Sequence, residues 1–154
     1  MTAYFFDSSA LVKRYARESG TTWMLSLFRR AAGNTLYAAR ITRVEVVAAL
    51  ARKQRGTYLT LDAQAKAESR VRRDFGSLRI YTVEITPAVL LHAESLAPKH
   101  YLRGYDAVQL AAALEANDER TRMGLSPLTM VIADKGLIQA APLEGLAVDN
   151  PELH

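Results

Sequence analysis

The 154 residues carry 20 Lys plus Arg against 16 Asp plus Glu, a net charge of +4, and no cysteine. That length fits one domain whose core folds without a disulfide or a metal staple. The missing thiol excludes thiolate zinc sites, iron–sulfur clusters and cysteine nucleophiles, suits a reducing compartment, and leaves oxygen or histidine to ligate any metal.

The first apolar run, Ala3 to Phe6, reads as a strand, and Asp7 interrupts it too soon for a signal peptide. Ser8 or Ser9 is placed to cap a helix continuing through Leu11 and Tyr15, and a second helix is expected from Thr21 to about Ala32. Asn34 to Ala39 is the second strand. Val44, Val47, Ala48 and Ala51 then mark a helix face, and Ala63, Ala67, Val71, Phe75 and Leu78 form the single apolar stripe of an amphipathic helix over 61–78. Arg79 to Ile85 alternates as a strand, Thr86-Pro87 opens a helix with proline at its first position, and 105–116 is helical again. A buried strand over 129–133, a short helix over 135–141 stopped by Pro142, and an edge strand over 146–148 complete the chain. No stretch approaches the ~20 apolar residues of a membrane span, so a soluble, cytoplasmic protein is expected. Strands alternating with helices imply right-handed crossovers and a mostly parallel sheet covered on both faces, which binds ligands beyond the carboxyl ends of its strands.

Four acids fall where that rule points or where a helix begins. Asp7 ends the first strand, Asp134 the 129–133 strand, Glu45 lies in the first turn of the Val44 helix, and Asp106 opens the Ala107 helix. Each has a local explanation as a helix cap or first-turn acid, and Thr42-Arg43-Val44-Glu45 matches a capping box. As a set they point further, because the fold brings these junctions to one sheet edge, where crowded carboxylates repel unless a cation neutralises them. Asp106 also stands at the mouth of a helix, 107–114, that is apolar nearly all round and therefore buried. Hard oxygen ligands without His or Cys select Mg²⁺ or Mn²⁺, which activate water and stabilise charge on a phosphodiester. Basic residues close to these acids in sequence (Lys13, Arg14 and Arg17; Arg40 and Arg43; Arg103) suit a phosphate ligand.

Phe6-Asp7-Ser8-Ser9-Ala10-Leu11, Thr42-Arg43-Val44-Glu45, Tyr105-Asp106-Ala107-Val108-Gln109-Leu110-Ala111 and Ala133-Asp134-Lys135-Gly136 resemble, in order and spacing, the motifs of PIN-domain nucleases, especially the VapC-type toxins of toxin–antitoxin pairs. The resemblance implies a single PIN-like domain over 1–154, a three-layer α/β/α sandwich around a mostly parallel sheet of four to five strands. It also implies a Mg²⁺- or Mn²⁺-dependent endoribonuclease, the toxin of a type II pair, that hydrolyses RNA with a metal-activated water. A homodimer and a cognate antitoxin covering the acidic pocket follow from the same likeness. Asp7 and Asp106 match the family's firmest metal ligands, Glu45 its helix-borne acid and Asp134 its more variable fourth; Ser9 and Arg43 are supporting candidates, and 42–75 matches the helical region of dimer and antitoxin contacts. One departure is Ile132, where many relatives carry Ser or Thr two residues before the fourth acid.

His92, His100 and His154 lack paired spacing and read as surface or packing residues. Trp23 and Phe28 read as core, and the Lys66, Arg70 and Arg73 face as a solvated surface that could touch RNA or an acidic segment. Two other functions fit parts of the pattern. An aspartyl-phosphate phosphoryl-transfer protein would use Asp7, but would carry a second Asp where Ser9 stands; a catalytically idle RNA- or protein-binding module would tolerate Ile132.

Overall fold

Neighbouring residues of a strand point to opposite faces of a sheet. In β1 (Ala3–Phe6), Phe5 and Phe6 are both fully buried, each in a different core, so the strand is covered on both sides. The computed structural model describes residues 1–154. After β1 come α1 (Ser8–Leu11), α2 (Thr21–Leu27), β2 (Thr35–Ala39), α3 (Thr42–Arg55), α4 (Leu61–Gly76), β3 (Tyr81–Val83), α5 (Pro87–His100), α6 (Gly104–Arg122), β4 (Leu128–Val131), α7 (Lys135–Leu143) and β5 (Ala147–Asp149). The strands form one parallel sheet in the order β3-β2-β1-β4-β5, the upper end of the four to five expected.

The helices divide between the faces. On one, α6 presents Ala107, Leu110, Ala111 and Leu114 to the sheet; its small side chains let α5 pack closely through Val89, Ala93 and Leu96, spaced as one helical stripe. On the other, α1, α2, α3 and α4 bury Leu11, Met24, Val46, Leu50, Ala67 and Val71 around Phe6 and Phe28. The strand order reverses at β1, with β2 and β3 on one side and β4 and β5 on the other. That topological switch opens a crevice at the carboxyl ends of β1 and β4, where the Asp7 N–H bonds the carbonyl of Val131 at 3.1 Å.

Several boundaries differ from expectation. The helix over 8–15 is one α-turn followed by a 3₁₀ turn, Val12–Arg14, and the helix over 21–32 stops at Leu27, because Phe28 turns into the core and Arg29 takes an extended conformation. Pro142 does not stop α7; it sits in the last turn, where it forfeits only the bond to the Ile138 carbonyl and has one residue of helix left to disturb, and the chain leaves through Gly145 at φ +85°. A C-terminal 3₁₀ turn, Pro151–Leu153, capped by Asn150 and opened by proline, docks against α2. Gly20 (φ +85°) allows it, since a β-carbon there would lie 2.2 Å from the Pro151 carbonyl oxygen. No helix is long and apolar enough to cross a membrane.

Candidate active site

Asp7, Glu45, Asp106 and Asp134, spread over 128 positions of the chain from residue 7 to residue 134, line one pocket of about 530 Å³. Two of them also do the local work expected of helix-start acids. Asp7 caps α1, its Oδ2 accepting from the Ser9 N–H at 3.0 Å, and Asp134 caps α7, accepting from Gly136 at 2.9 Å and Leu137 at 3.2 Å. The capping role and the shared pocket are therefore not alternatives.

Glu45 and Asp106 lie, as expected, in the first turns of α3 and α6, but two other local readings are corrected. No capping box forms at 42–45: Ile41 precedes the helix without a side-chain cap, and Thr42 is its first residue, fully buried and bonded instead to Gln109. The Gln109 amide also donates to Glu45 Oε2. Gln109 follows Asp106 by three residues on α6, so one helical face delivers a metal-ligating type of side chain and the amide that orients a second acid. Nor does Ser8 or Ser9 cap α1. The Ser9 hydroxyl donates to Asp7 Oδ2 at 2.5 Å and accepts from the N–H groups of Ala133 (3.0 Å) and Asp134 (3.2 Å), tying the first acid to the loop of the fourth. That loop hydroxyl thus comes from β1's side of the crevice, while Ile132 is wholly buried core.

The electrostatics agree with the crowding. Burial pushes the Asp7 carboxyl above its ordinary range, opposed by the hydrogen bonds from Ser9 and reinforced by Asp134. Glu45 is pushed up to about 7, first by burial and then by Asp7 and Asp106, with the Gln109 amide pulling the other way. Asp106 is pushed up to about 6 by burial, Asp134 and Asp7, with Arg103 opposing. Asp106 receives no hydrogen bond that would hold its charge, only neighbouring charges. These carboxylates penalise one another's ionisation, which is what a divalent cation would relieve.

The acids line the pocket without closing on a point: no three of them already stand as a ready-made ion cage. Their own bonds explain this, since Asp7, Glu45 and Asp134 each have an oxygen engaged by the chain, and like charges draw no closer unaided. An all-oxygen donor set of this kind fits Mg²⁺ or Mn²⁺, because Mg²⁺ keeps several waters and takes only one or two carboxylates directly.

Residues 4–134 match the profile of the PIN domain. The chain belongs to the PIN domain family. Among its relatives, Ribonuclease VapC45 of Mycobacterium tuberculosis is 38% identical over 120 residues, 77% of this chain and 79% of that protein. The fold is shared with PAE2754 from Pyrobaculum aerophilum (TM-score 0.64, 19% identity, 99% of this chain and 85% of that one). It is shared too with a toxin–antitoxin complex from Klebsiella pneumoniae (TM-score 0.61, 17% identity, 96% and 97%).

Within this PIN domain, Arg43 does not join the acids; it is exposed and lines a separate cavity with Arg40, Val44, Val47, Phe75 and Thr82. Lys13 and Arg14 are likewise committed elsewhere, Lys13 to Glu18 and Glu152 at 3.0 Å each and Arg14 to Asp74 at 2.7 Å, and Arg40 pairs with Glu84. The cations that do line the acid pocket are Arg103 and Arg52. Arg52 lies seven residues beyond Glu45 on the same face of α3, about 10 Å along its axis. That i, i+7 spacing was readable in the sequence; the reach of Gln109 from α6 to α3 was not. Of the histidines, His100 contacts Glu144, and His154 contacts Asp149 and stacks on Trp23, all outside this pocket.

Proposed function

We propose that this chain is a Mg²⁺- or Mn²⁺-dependent endoribonuclease, the toxin of a type II toxin–antitoxin pair, acting as a single folded unit over 1–154. The observation that carries the reading is one pocket lined by four chain-distant acids and two unpaired arginines, in a PIN domain whose relative is named a ribonuclease. Asp7, Glu45, Asp106 and Asp134 would hold the ion. When bound, it supplies the concentrated positive charge that phosphodiester hydrolysis needs at the attacking and departing oxygens.

The chain's own residues do the rest. Ser9 locks Asp7 and the Asp134 loop at a fixed separation, so the two strand-end acids move as one unit. Gln109 holds Glu45 by one oxygen and turns the carboxylate toward the pocket. Arg52 and Arg103 enter no ion pair with the chain and are free to take phosphate oxygens of the substrate. The toxin–antitoxin neighbour supports a protein antitoxin as partner, and the family likeness supports a cytoplasmic homodimer.

Purified protein incubated with structured RNA and Mn²⁺ or Mg²⁺ tests this. Cleavage that EDTA abolishes and Asp106→Asn removes is expected; an undamaged RNA in the presence of either ion would overturn the reading.

A further inference from the structure

A second groove adjoins the acid pocket and carries only positive charge. Tyr15, Ala16 and Arg17 form one wall and α4 the other, through Lys66, Arg70 and Arg73, around about 580 Å³ with no acidic residue in the lining. The sequence offers the α4 face but not Arg17, which the turn after α1 brings across from 49 positions before Lys66.

Three features separate this groove from an ordinary solvated face. Arg17, Arg70 and Arg73 have no carboxylate partner, whereas Lys13, Arg14 and Lys53 close by are all paired. Lys66 has only Asp62, in an exposed i, i+4 pair of small worth. The Arg70 guanidinium is held across the groove by its bond to the Tyr15 carbonyl at 2.9 Å, which leaves its other N–H groups for a ligand at little ordering cost. And the groove abuts the acid pocket along two elements. Val12 lines the pocket and Ala16, whose N–H bonds the Val12 carbonyl at 3.0 Å, lines the groove; Arg52 near the end of α3 lines the pocket and Leu59, in the connection that follows, lines the groove.

We propose that this groove is an RNA-backbone site, where the strand whose scissile phosphate sits among the acids runs past Arg52 and lays neighbouring phosphates against Arg17, Arg70 and Arg73. The inference rests on the ribonuclease reading for the identity of the strand. Along α4, Lys66, Arg70 and Arg73 span seven residues, about 10 Å, so they meet successive phosphates of a single strand rather than one point charge. An acidic peptide would satisfy the charge of the groove alone, whereas a substrate strand is the occupant that the acid pocket must also admit for cleavage.

The test is binding of a fluorescein-labelled 12-nucleotide single-stranded RNA in EDTA, followed by anisotropy across KCl concentrations, for wild type and Arg17→Ala/Arg73→Ala. Both side chains are exposed and unpaired, so folding is retained, and Arg29→Ala/Arg30→Ala, equally exposed and outside the groove, matches the loss of charge. The groove variant is expected to bind about ten-fold more weakly, with a log–log salt slope shallower by about 1.4, the change that follows when two phosphates of a single strand are no longer neutralised. The Arg29/Arg30 variant keeps the wild-type slope. With Mn²⁺ present, the ratio of kcat/KM for the 12-nucleotide RNA over a dinucleotide falls about ten-fold in the groove variant. Equal RNA binding by the two double variants, or a groove variant that loses an acidic protein partner while binding RNA normally, would overturn the proposal. Groove-dependent binding in a protein that cleaves no RNA would sink the ribonuclease reading and leave the groove standing.

Discussion

Replacing Gln109 with methionine, of similar size, removes one amide from the first third of α6 and strips two partners at once. Gln109 and Thr42 are both completely buried, and their mutual hydrogen bonds, 2.9 and 3.1 Å, satisfy the Thr42 hydroxyl at the start of α3. Leaving that hydroxyl unpaired in the interior costs about 1–3 kcal/mol, and at roughly 2–4 °C per kcal/mol for a chain of this size the melting temperature should fall by about 2–12 °C. Removing both partners, as Thr42→Val/Gln109→Met, should recover most of that loss, because no fully buried polar group is then stranded, Glu45 being only half-buried at the pocket. The functional consequence is separable. Glu45 loses the donor that opposes its burial, so its carboxyl, already at about 7, rises further and holds a proton at neutral pH that a metal must displace. Calorimetric melting and Mn²⁺ titration should therefore show a double variant that is stable yet still weak in Mn²⁺ binding. A double variant no more stable than Gln109→Met alone, or one that binds Mn²⁺ as the wild type does, would refute the coupling of Gln109 to both residues.

Asp7→Asn keeps an acceptor for Ser9 while deleting a buried charge, so the metal-free protein should melt at or above the wild-type temperature although RNA cleavage is lost; a drop of several degrees would contradict this. The pH response has a definite sign. Glu45 and Asp106 sit at about 7 and 6 in the fold against ordinary values of 4.5 and 3.8, so between those limits the folded chain binds more protons than the unfolded one. Their contribution to the stability of the metal-free protein is then complete below the ordinary values and is lost as pH rises through about 6 to 7. Melting in EDTA across that range should show the decline, and saturating Mn²⁺ should flatten it; a profile unaffected by Mn²⁺ would count against the shared site. Gly20→Ala should destabilise by more than ~1 kcal/mol, because it adds a β-carbon at φ +85° directly against the Pro151 carbonyl; urea unfolding measures it, and an unchanged midpoint would show that the C-terminal turn is not held there.

The alternation of strands and helices, and the four acids, were legible because each rests on local pattern: an apolar run ended by Asp7, a stripe at helical spacing, an acid at a helix mouth. What escaped was tertiary. Thr42 and Glu45 spell a capping box, and the local code carries no sign that a buried amide 64 residues beyond Glu45 takes both side chains. Ser9 reads as a cap because its reach to Ala133 and Asp134 depends on β1 lying beside β4. Charge was misassigned for the same reason. Lys13, Arg14 and Arg43 adjoin the acids in sequence yet bond or face elsewhere, while Arg52 reaches the pocket through the periodicity of α3.

The proposed site gathers carboxylates from four separate parts of the chain around divalent metal, some as direct ligands and the rest through its waters. Titrating Mn²⁺ calorimetrically into the metal-free protein near neutral pH, in two buffers of different ionisation enthalpy, addresses it directly. Saturable binding with release of protons is predicted, weakened at least ten-fold by Asp106→Asn. A wild-type protein that takes up no Mn²⁺, or one whose affinity is indifferent to Asp106, would contradict it.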